Sequence, residues 1–406
     1  MRQWMVAAKK ADFYVIAEKF HVDPVVARII RNREVIGEKN IRIYLGGNLS
    51  DLSDPHQMKD MDRLVEILAQ KIRKQVHIRI IGDYDVDGVT SSHLFLTALR
   101  RVGAKVDVVI PHRIQDGYGL SLHLLQQAKE DGVDTILTCD NGIAAIDEIA
   151  WAKAQKMTVL VTDHHAVPFE EHEGRRTEKK SLADAVVNPH QQDCGYPYKE
   201  LCGAGVAWNV IRVLYENYDM DKREAEDLLD FVAMATVCDV MSLTGENRIL
   251  VKEGLKRIRH TKNIGLQALM QACNVQPENI SAYHFGYVLG PCVNATGRLD
   301  TARHALRLFE TGQETEAEEI ARDLVDLNQE RKELTLQGVE MAKKLCEEGG
   351  YEKDPVLVLF LPDVHESIAG LIAGRIREMY NRPVFVLQRG EEGVKGSGRS
   401  TGTYVM

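Results

Sequence analysis

The sequence predicts an α/β protein. It has a parallel-sheet domain, helical N-terminal and inter-domain segments, and a second, smaller α/β domain that is incomplete. Three observations predict this. Residues 76 to about 190 alternate apolar runs with amphipathic stretches, the pattern of a parallel sheet with helices on both faces. Residues 203–345 read as mostly helical, and strand-like runs resume at Pro355. Three of the apolar runs end in acidic or imidazole side chains, which places chemistry at strand ends.

Taken in order, residues 1 to about 70 read as short helices. The stretch Asp23–Arg33 sets three arginines around an apolar stripe, read as a solvated helix face. Strands are expected near 76–82, 104–110, 134–138, 157–162 and 184–188, with helices near 88–101, 121–131 and 143–155 between them. Glu314 to Glu348 is charged, lacks proline and ends at Gly349-Gly350, a C-cap signal. It reads as a long helix joining two domains. A strand follows at 355–361, a helix at 366–379 and a strand at 383–387. The chain stops at Met406, early for an α/β domain, so the second domain is expected to be a fragment. The segments are therefore 1–70, 71–270, 271–350 and 351–406.

The 406 residues are ample for sizeable cores. No run of 18 apolar residues suggests a membrane span, and the N-terminal apolar stretch is too short for a signal peptide. Seven cysteines without a C-x-x-C argue against a disulfide framework or zinc ribbon. A reduced cytoplasmic setting is expected. The formal charge of −9 argues against indiscriminate nucleic-acid binding but allows a local basic groove.

The run 76–81 leads into Gly82-Asp83-Tyr84-Asp85-Val86-Asp87-Gly88, the run 135–138 into Cys139-Asp140-Asn141-Gly142, and the run 157–162 into Asp163-His164-His165. In an open parallel sheet the ligand crevice lies at the carboxyl ends of the strands. Two carboxylates ~4 Å apart there repel by roughly 4 kcal/mol at an effective dielectric near 20. Hard divalent cations with oxygen and imidazole ligands relieve this. Asp83, Asp85 and Asp87 alternate, which would put them on one side of an extended chain, with Gly88 allowing tight entry into the next helix. The plainer alternative is an Asp-rich turn capping that helix, as Asp87 alone could do. Adjacent side chains diverge, so one of His164 and His165 is expected to bind a cation and the other to face substrate. Asp239 ends an apolar helix, where a carboxylate is unfavourable unless a cation is present. Cys139 and Cys238, each preceding a candidate aspartate, read as small buried residues.

Asp85-x-Asp87-Gly88, Asp140, Asp163-His164-His165 and Asp239 together resemble the DHH phosphoesterase superfamily. Within it the wider pattern is similar to the bacterial single-strand-specific exonucleases. Leu52-Ser53-Asp54-Pro55, Lys59-Asp60-Met61-Asp62, Ile110-Pro111-His112-Arg113, Gly117-Tyr118-Gly119, Asn188-Pro189 and Gly203–Ala207 carry it. So do Gly245-Glu246-Asn247-Arg248, Asn294–Arg298 and Ser397-Gly398-Arg399-Ser400, in the right order along nearly the whole chain.

The resemblance implies a DHH domain followed by a partial DHHA1-type domain. Two manganese or magnesium ions would be held by Asp85, Asp87, Asp140, His164 and Asp239, with Asp83 close by. His165 would touch the scissile phosphate, and His165, Arg298, His164 and Asp85 are the catalytic candidates. Arg298, Arg113 and Arg399 would grip phosphates, Ser397 would add a hydroxyl, and His365 matches a histidine near the substrate. The last could equally neighbour a helix N-cap. Taken alone each arginine reads as a surface charge. Arg113, however, sits in a glycine-rich loop, and Arg298 and Arg399 follow glycines, where guanidinium and backbone can approach an anion.

The implied activity is removal of 5′-mononucleotides from single-stranded DNA in the 5′→3′ direction, in recombination and repair. The implied partners are a single-strand-binding protein and a RecQ-type helicase, and a monomer is expected. Two departures stand out. Cys292 occupies a position where the family often has arginine, and the Gly-Gly-His motif and oligonucleotide-binding barrel that follow in the family are not found in these 406 residues. Two rival readings are a DHH enzyme for oligoribonucleotides or cyclic dinucleotides, and a replication scaffold without metal ligands. The N-terminal segment and linker helix argue against the first, and the retained ligands against the second.

Overall fold

The structure, a computed structural model, describes residues 9–172, 175–390 and 393–402. Four helices open it: α1 (Phe13–Phe20), α2 (Pro24–Asn32), α3 (Glu38–Gly46) and α4 (Met61–Arg73). Asp12 and Asp23 cap the first two by accepting from backbone N–H groups. The apolar stripe of α2 is largely open to solvent at Val25 and Ile29, while Arg28 lies 4.7 Å over the Phe13 ring and ties α2 to α1.

Next come β1 (Ile78–Ile81), α5 (Val86–Arg101), β2 (Val106–Val109), α6 (Leu122–Glu130), β3 (Thr135–Cys139), α7 (Ile146–Ala154) and β4 (Thr158–Thr162). A hairpin of β5 (Phe169–His172) and β6 (Arg175–Glu178) precedes β7 (Ala185–Val187). The main sheet has the order β2-β1-β3-β4-β7 and is parallel throughout. Parallel sheets are covered on both faces. Here one face packs on a core that includes Leu64 and Leu68 of α4, Phe95 and Leu99 of α5 and Trp208, and the other on Leu124, Leu125 and Ile149 of α6 and α7. The register levels the strand ends: Ile81 pairs with Thr138, Cys139 with Thr162, and Thr162 with Val187. Segments leaving β1, β3 and β4 therefore emerge at one edge. Because the chain runs outward to β2 and then returns to β3, the topological switch point falls between β1 and β3, where such sheets bind ligands.

A helical region follows: α8 (Gly203–Asn217), α9 (Arg223–Glu226), α10 (Leu229–Cys238), α11 (Gly245–Arg257), α12 (Ile264–Ala272), α13 (Ala282–His284), a π-helical turn at Phe285–Leu289, α14 (Gly290–Leu299) and α15 (Ala302–Glu310). Helix α16 (Glu314–Gly349) runs 36 residues and ends on left-handed Gly350. Its first half buries Ala317, Ile320 and Leu324 in the main core, and its second half buries Val339, Ala342 and Cys346 in a separate one. That second core belongs to β8 (Leu357–Phe360), α17 (Glu366–Tyr380), β9 (Val384–Gly390) and β10 (Gly393–Arg399), in the sheet order β10-β9-β8. β8 and β9 are parallel, β9 and β10 antiparallel.

Two features depart from the sequence reading. The β5–β6 hairpin and β10 were not expected as strands. Helix α5 also begins at Val86, with Asp85 as its N-cap, so Asp83, Asp85 and Asp87 do not share one side of an extended chain. Asp85 accepts from the N–H groups of Asp87 and Gly88 at 2.9 and 3.1 Å. The cap is thus Asp85 and not Asp87, because Asp87 is already inside the first turn. Gly88 is needed for close approach: a Cβ there would lie 2.4 Å from the Asp83 carbonyl oxygen.

Candidate metal centre and active site

The acidic residues arrive from four elements, with Asp85 and Asp87 sharing the start of α5. Asp83 follows β1, and its buried Oδ1 has no hydrogen-bond partner. Asp87, also buried, accepts from the N–H groups of Gly203 and Ala204 at 2.6 and 2.8 Å, so the start of α8 orients it. Asp140 leaves β3 in the left-handed region at φ 62° and packs on Gly203, where a Cβ would come within 2.6 Å of its own Cβ. Asp239 is the C-cap of α10, as the sequence suggested. His164 is buried among them, its Nε2 3.0 Å from Asp140 Oδ1, 3.6 Å from Asp87 Oδ2 and 3.7 Å from Asp239 Oδ2. The His164–Asp140 pair is close but not aligned as a hydrogen bond, and both atoms remain unpartnered.

The electrostatics follow from this crowding. Burial, then the Asp85 charge, pushes Asp83 up to about 8. Burial, then Asp87 and Asp85, pushes Asp239 up to about 8. Asp85 and Asp140 are raised for the same reasons, burial first and the Asp87 charge second. His164 is lowered by burial, which keeps its imidazole neutral. Among the described residues no lysine or arginine forms an ion pair with these five carboxylates; only the two histidines do. Their ligand atoms fall into three overlapping groups, each within 4.8 Å: Asp83–Asp85–Asp140, Asp87–His164–Asp239 and Asp140–His164–His165. Asp140 and His164 each belong to two, so this is one cluster. Buried, unpartnered oxygens with a neutral imidazole fit hard divalent cations.

His164 and His165 do not diverge. Their rings lie 4.4 Å apart. The reason is Asp163, which sequence reasoning passed over as a functional residue. Its Oδ1 accepts from the N–H groups of both histidines at 2.7 and 3.0 Å and from His165 Nδ1 at 2.8 Å, while Oδ2 accepts from Ile143 N–H at 2.9 Å. This folds the turn so that both rings face the same space. Their environments still differ, since His165 is half exposed. The Asp163 hydrogen bond raises His165 to about 8, against the opposing effect of burial. Tyr118 is a second omission. Its hydroxyl donates to the Asp140 carbonyl at 3.1 Å and lies 3.2 Å from His165 Nε2.

Beside the cluster is a cleft of about 330 Å³ lined by Arg113, Arg298 and His365. The Arg113 guanidinium lies 4.5 Å over the Tyr84 ring, next to Asp83 and Asp85. Arg298, in the last turn of α14, donates to the Ser367 carbonyl at 2.7 Å. Burial, then the charges of Arg113 and Arg331, pushes it down to about 10. Asn294 of α14 accepts from Val86 N–H at 3.2 Å, so the helix carrying Arg298 is docked on the Asp85 turn. His365 is itself the N-cap of α17, its Nδ1 2.7 Å from Ser367 Oγ. Ser397 and Arg399 lie on β10 and cross α17 at Gly370, whose missing Cβ makes room: one there would sit 2.8 Å from Arg399 Nη2 and 3.3 Å from Ser397 Oγ. They do not line the cleft. Cys292, at the departure from the family pattern, is buried with its sulfur 3.8 Å from Cys273 Sγ.

Comparison with known proteins fits this geometry. Residues 77–236 match the DHH family, N-terminal domain. A crystal structure of exonuclease RecJ bound to manganese superposes with a TM-score of 0.73 at 32% identity, covering 85% of this chain and 83% of that one. The chain belongs to the DHH family, in its RecJ group. The single-stranded-DNA-specific exonuclease RecJ of Haemophilus influenzae is 36% identical over 93% of this chain. RecJ from Thermus thermophilus, in complex with Mn2+, superposes with a TM-score of 0.75 at 29% identity over 96% of this chain. The chain spans 66% of the Haemophilus protein and 53% of the Thermus chain. Among the described residues no helix is long and apolar enough to cross a membrane.

Proposed function

We propose that this chain is a two-metal phosphodiesterase that removes 5′-mononucleotides from single-stranded DNA in the 5′→3′ direction, in recombination and repair. The observation that carries this is the overlap of three ligand groups at the switch point of the sheet, with buried oxygens that no lysine or arginine among the described residues pairs with. The adjoining cationic cleft and the RecJ relatives support a phosphate-bearing polymer as substrate. A single-strand-binding protein and a RecQ-type helicase are the partners that this reading suggests, with the chain acting as a monomer.

Asp85, Asp87, Asp140, His164 and Asp239, with Asp83 beside them, would hold two manganese or magnesium ions. When bound, such ions supply an activated water and stabilise the attacking and leaving oxygens of an in-line displacement. The chain's own groups do the rest. Asp163 fixes the His165 ring, and the charged imidazole donates toward a phosphoryl oxygen. Arg298 and Arg113 present guanidiniums to neighbouring phosphates. His365, Ser397 and Arg399 extend that grip along the strand.

The test compares hydrolysis of a 5′-labelled long single strand with that of a cyclic dinucleotide, in manganese and in chelator. The expected result is metal-dependent release of labelled mononucleotide from the long strand alone. Faster turnover of the cyclic dinucleotide would replace this reading with the small-substrate one.

A further inference from the structure

Helix α14 and the π-helical turn before it form one continuous helical edge beside the carboxylate cluster. Gly286 packs on Val237, and Gly290 meets Cys238 so closely that a Cβ there would lie 2.3 Å from its sulfur. Cys238 Sγ in turn donates to the Phe285 carbonyl at 3.3 Å. The turn is thus seated on the end of α10, one residue from Asp239. Further along, Asn294 holds the Asp85 turn, Gly297 abuts the Tyr84 carbonyl, and Arg298 reaches the cationic cleft. The edge therefore passes Asp239, then Asp85, and ends at the cleft.

At its other end two tyrosines stand in solvent. Tyr283 and Tyr287 are 63% and 73% exposed, and their rings stack 5.1 Å apart at an angle of 25°. That exposure leaves ring surface open even though the two rings touch. Eleven residues at ~1.5 Å each put Tyr287 roughly 16 Å from Arg298 along the helix. Val240, directly after Asp239, is 87% exposed at φ 58°. The left-handed region is an outlier for a β-branched residue, and strain of this kind clusters at ligand clamps. π-Helical turns likewise concentrate at functional sites.

We propose that Tyr283 and Tyr287 form a stacking platform for bases of single-stranded DNA on the 3′ side of the scissile phosphate. The inference rests on the exonuclease reading for its substrate and adds a subsite to it. A strand with its 5′ phosphate in the arginine-lined cleft and its scissile phosphate at the cluster leaves past Asp239, toward the two rings. An exposed aromatic pair suits a base better than a bare phosphate. Every base has a π-face, so the contact is independent of sequence. It also requires an unstacked base, since a base inside a duplex has both faces covered by its neighbours. The platform thus favours single strands over duplex.

Fluorescence anisotropy of a 5′-phosphorylated, 3′-labelled oligothymidylate with the full chain in chelator, where nothing is hydrolysed, tests the platform. Replacing the bases beyond the first nucleotide by abasic sites should weaken binding to the parent at least tenfold, equivalent to about 1.4 kcal/mol. The double variant Tyr283→Ala, Tyr287→Ala should bind the intact strand at least tenfold more weakly and should no longer distinguish it from the abasic strand. The double variant Tyr283→Phe, Tyr287→Phe should bind as the parent does, because stacking needs the rings and not the hydroxyls. Retention of the parent's circular dichroism spectrum shows that the variants fold. Equal affinity of the parent and the double alanine variant overturns the proposal. So does a tenfold preference for bases that survives in that variant, as a merely structural role would give, or the absence of saturable binding by the parent. Hydrolysis in manganese is measured separately. Binding of the expected pattern without release of mononucleotide would sink the exonuclease reading and leave the platform standing.

Discussion

Strand β1 carries charge on itself and charge just beyond its end, and the two regions are built in opposite ways. On the strand, buried Arg79 donates from Nε and Nη2 to Asp107 at 2.9 and 2.7 Å and from Nη1 to Asp131 at 2.8 Å, while His77 reaches Asp107 at 3.0 Å. The Asp107 hydrogen bond raises Arg79, and Arg79 holds Asp107 below the usual carboxylate range despite burial. A few residues later, Asp83 and Asp85 are raised, and Asp83 Oδ1 and the nearby Asp140 Oδ1 lack hydrogen-bond partners. Density of charge is therefore not what marks a site. A network whose charges cancel internally holds the fold, and one left open needs something from outside.

The sharpest break of this contrast is Asp140→Asn. Single-strand hydrolysis should fall by roughly three orders of magnitude, the scale of several kcal/mol of lost charge stabilisation. In chelator, the same substitution should raise the melting temperature, since it removes one of several mutually repelling charges. A lower melting temperature would mean that Asp140 is already compensated and the open network is not open.

Metal addition comes next. Manganese at 100 times its dissociation constant should stabilise the parent by about 2.7 kcal/mol, and Asp140→Asn should lose most of that gain. A melting midpoint that does not move under saturating manganese would remove the metal assignment. The closed network should respond in the reverse sense. Arg79→Met should cost about 1–3 kcal/mol, less than a fully buried pair because Asp107 and Asp131 are 39% and 56% exposed. Its turnover in manganese, measured well below the melting range, should match the parent; a large loss would show that the two regions are coupled.

The smallest effect belongs to His56, which joins the N-terminal helices to α8 through Asp62 and Glu216. Those hydrogen bonds raise it above 6.5. A raised histidine contributes stability that is complete below its unfolded value and is lost as pH rises through the folded one. His56→Gln should thus melt below the parent at pH 5.5 and converge with it at alkaline pH. The gap should stay under about 1 kcal/mol, because the pair is exposed. A gap that widens with pH would refute the pairing.

Much of this was legible in the sequence because parallel register leaves little freedom. Five apolar runs of similar length must align, so Asp83, Asp140 and His164 had to emerge at one edge. The α10 carboxylate Asp239 was legible because its charge sits at the wrong end of a helix dipole. What escaped was set by partners distant in sequence. Asp163 resembles one more acidic ligand, yet it commits its oxygens to backbone N–H groups and the His165 ring. Strand β10 contains Gly393, Gly396 and Gly398 and shows no apolar alternation, so only pairing with β9 makes it a strand. The β5–β6 hairpin is charged and aligns Glu171 with Arg176 instead of burying a face.

Helix α16 makes the distance between the two lobes a matter of phase. Its 36 residues extend about 54 Å, with one buried grip on each core. Inserting a single residue between Leu324 and Val339 would push the far lobe out by about 1.5 Å and rotate it by about 100°, carrying Arg399 and Ser397 around the axis. Seven residues restore the bearing to within about 20° but leave the lobe about 10.5 Å too far away. Along the solvent side of this helix, side chains are free to change. Their number is not, and the helix behaves like a shaft keyed at both ends.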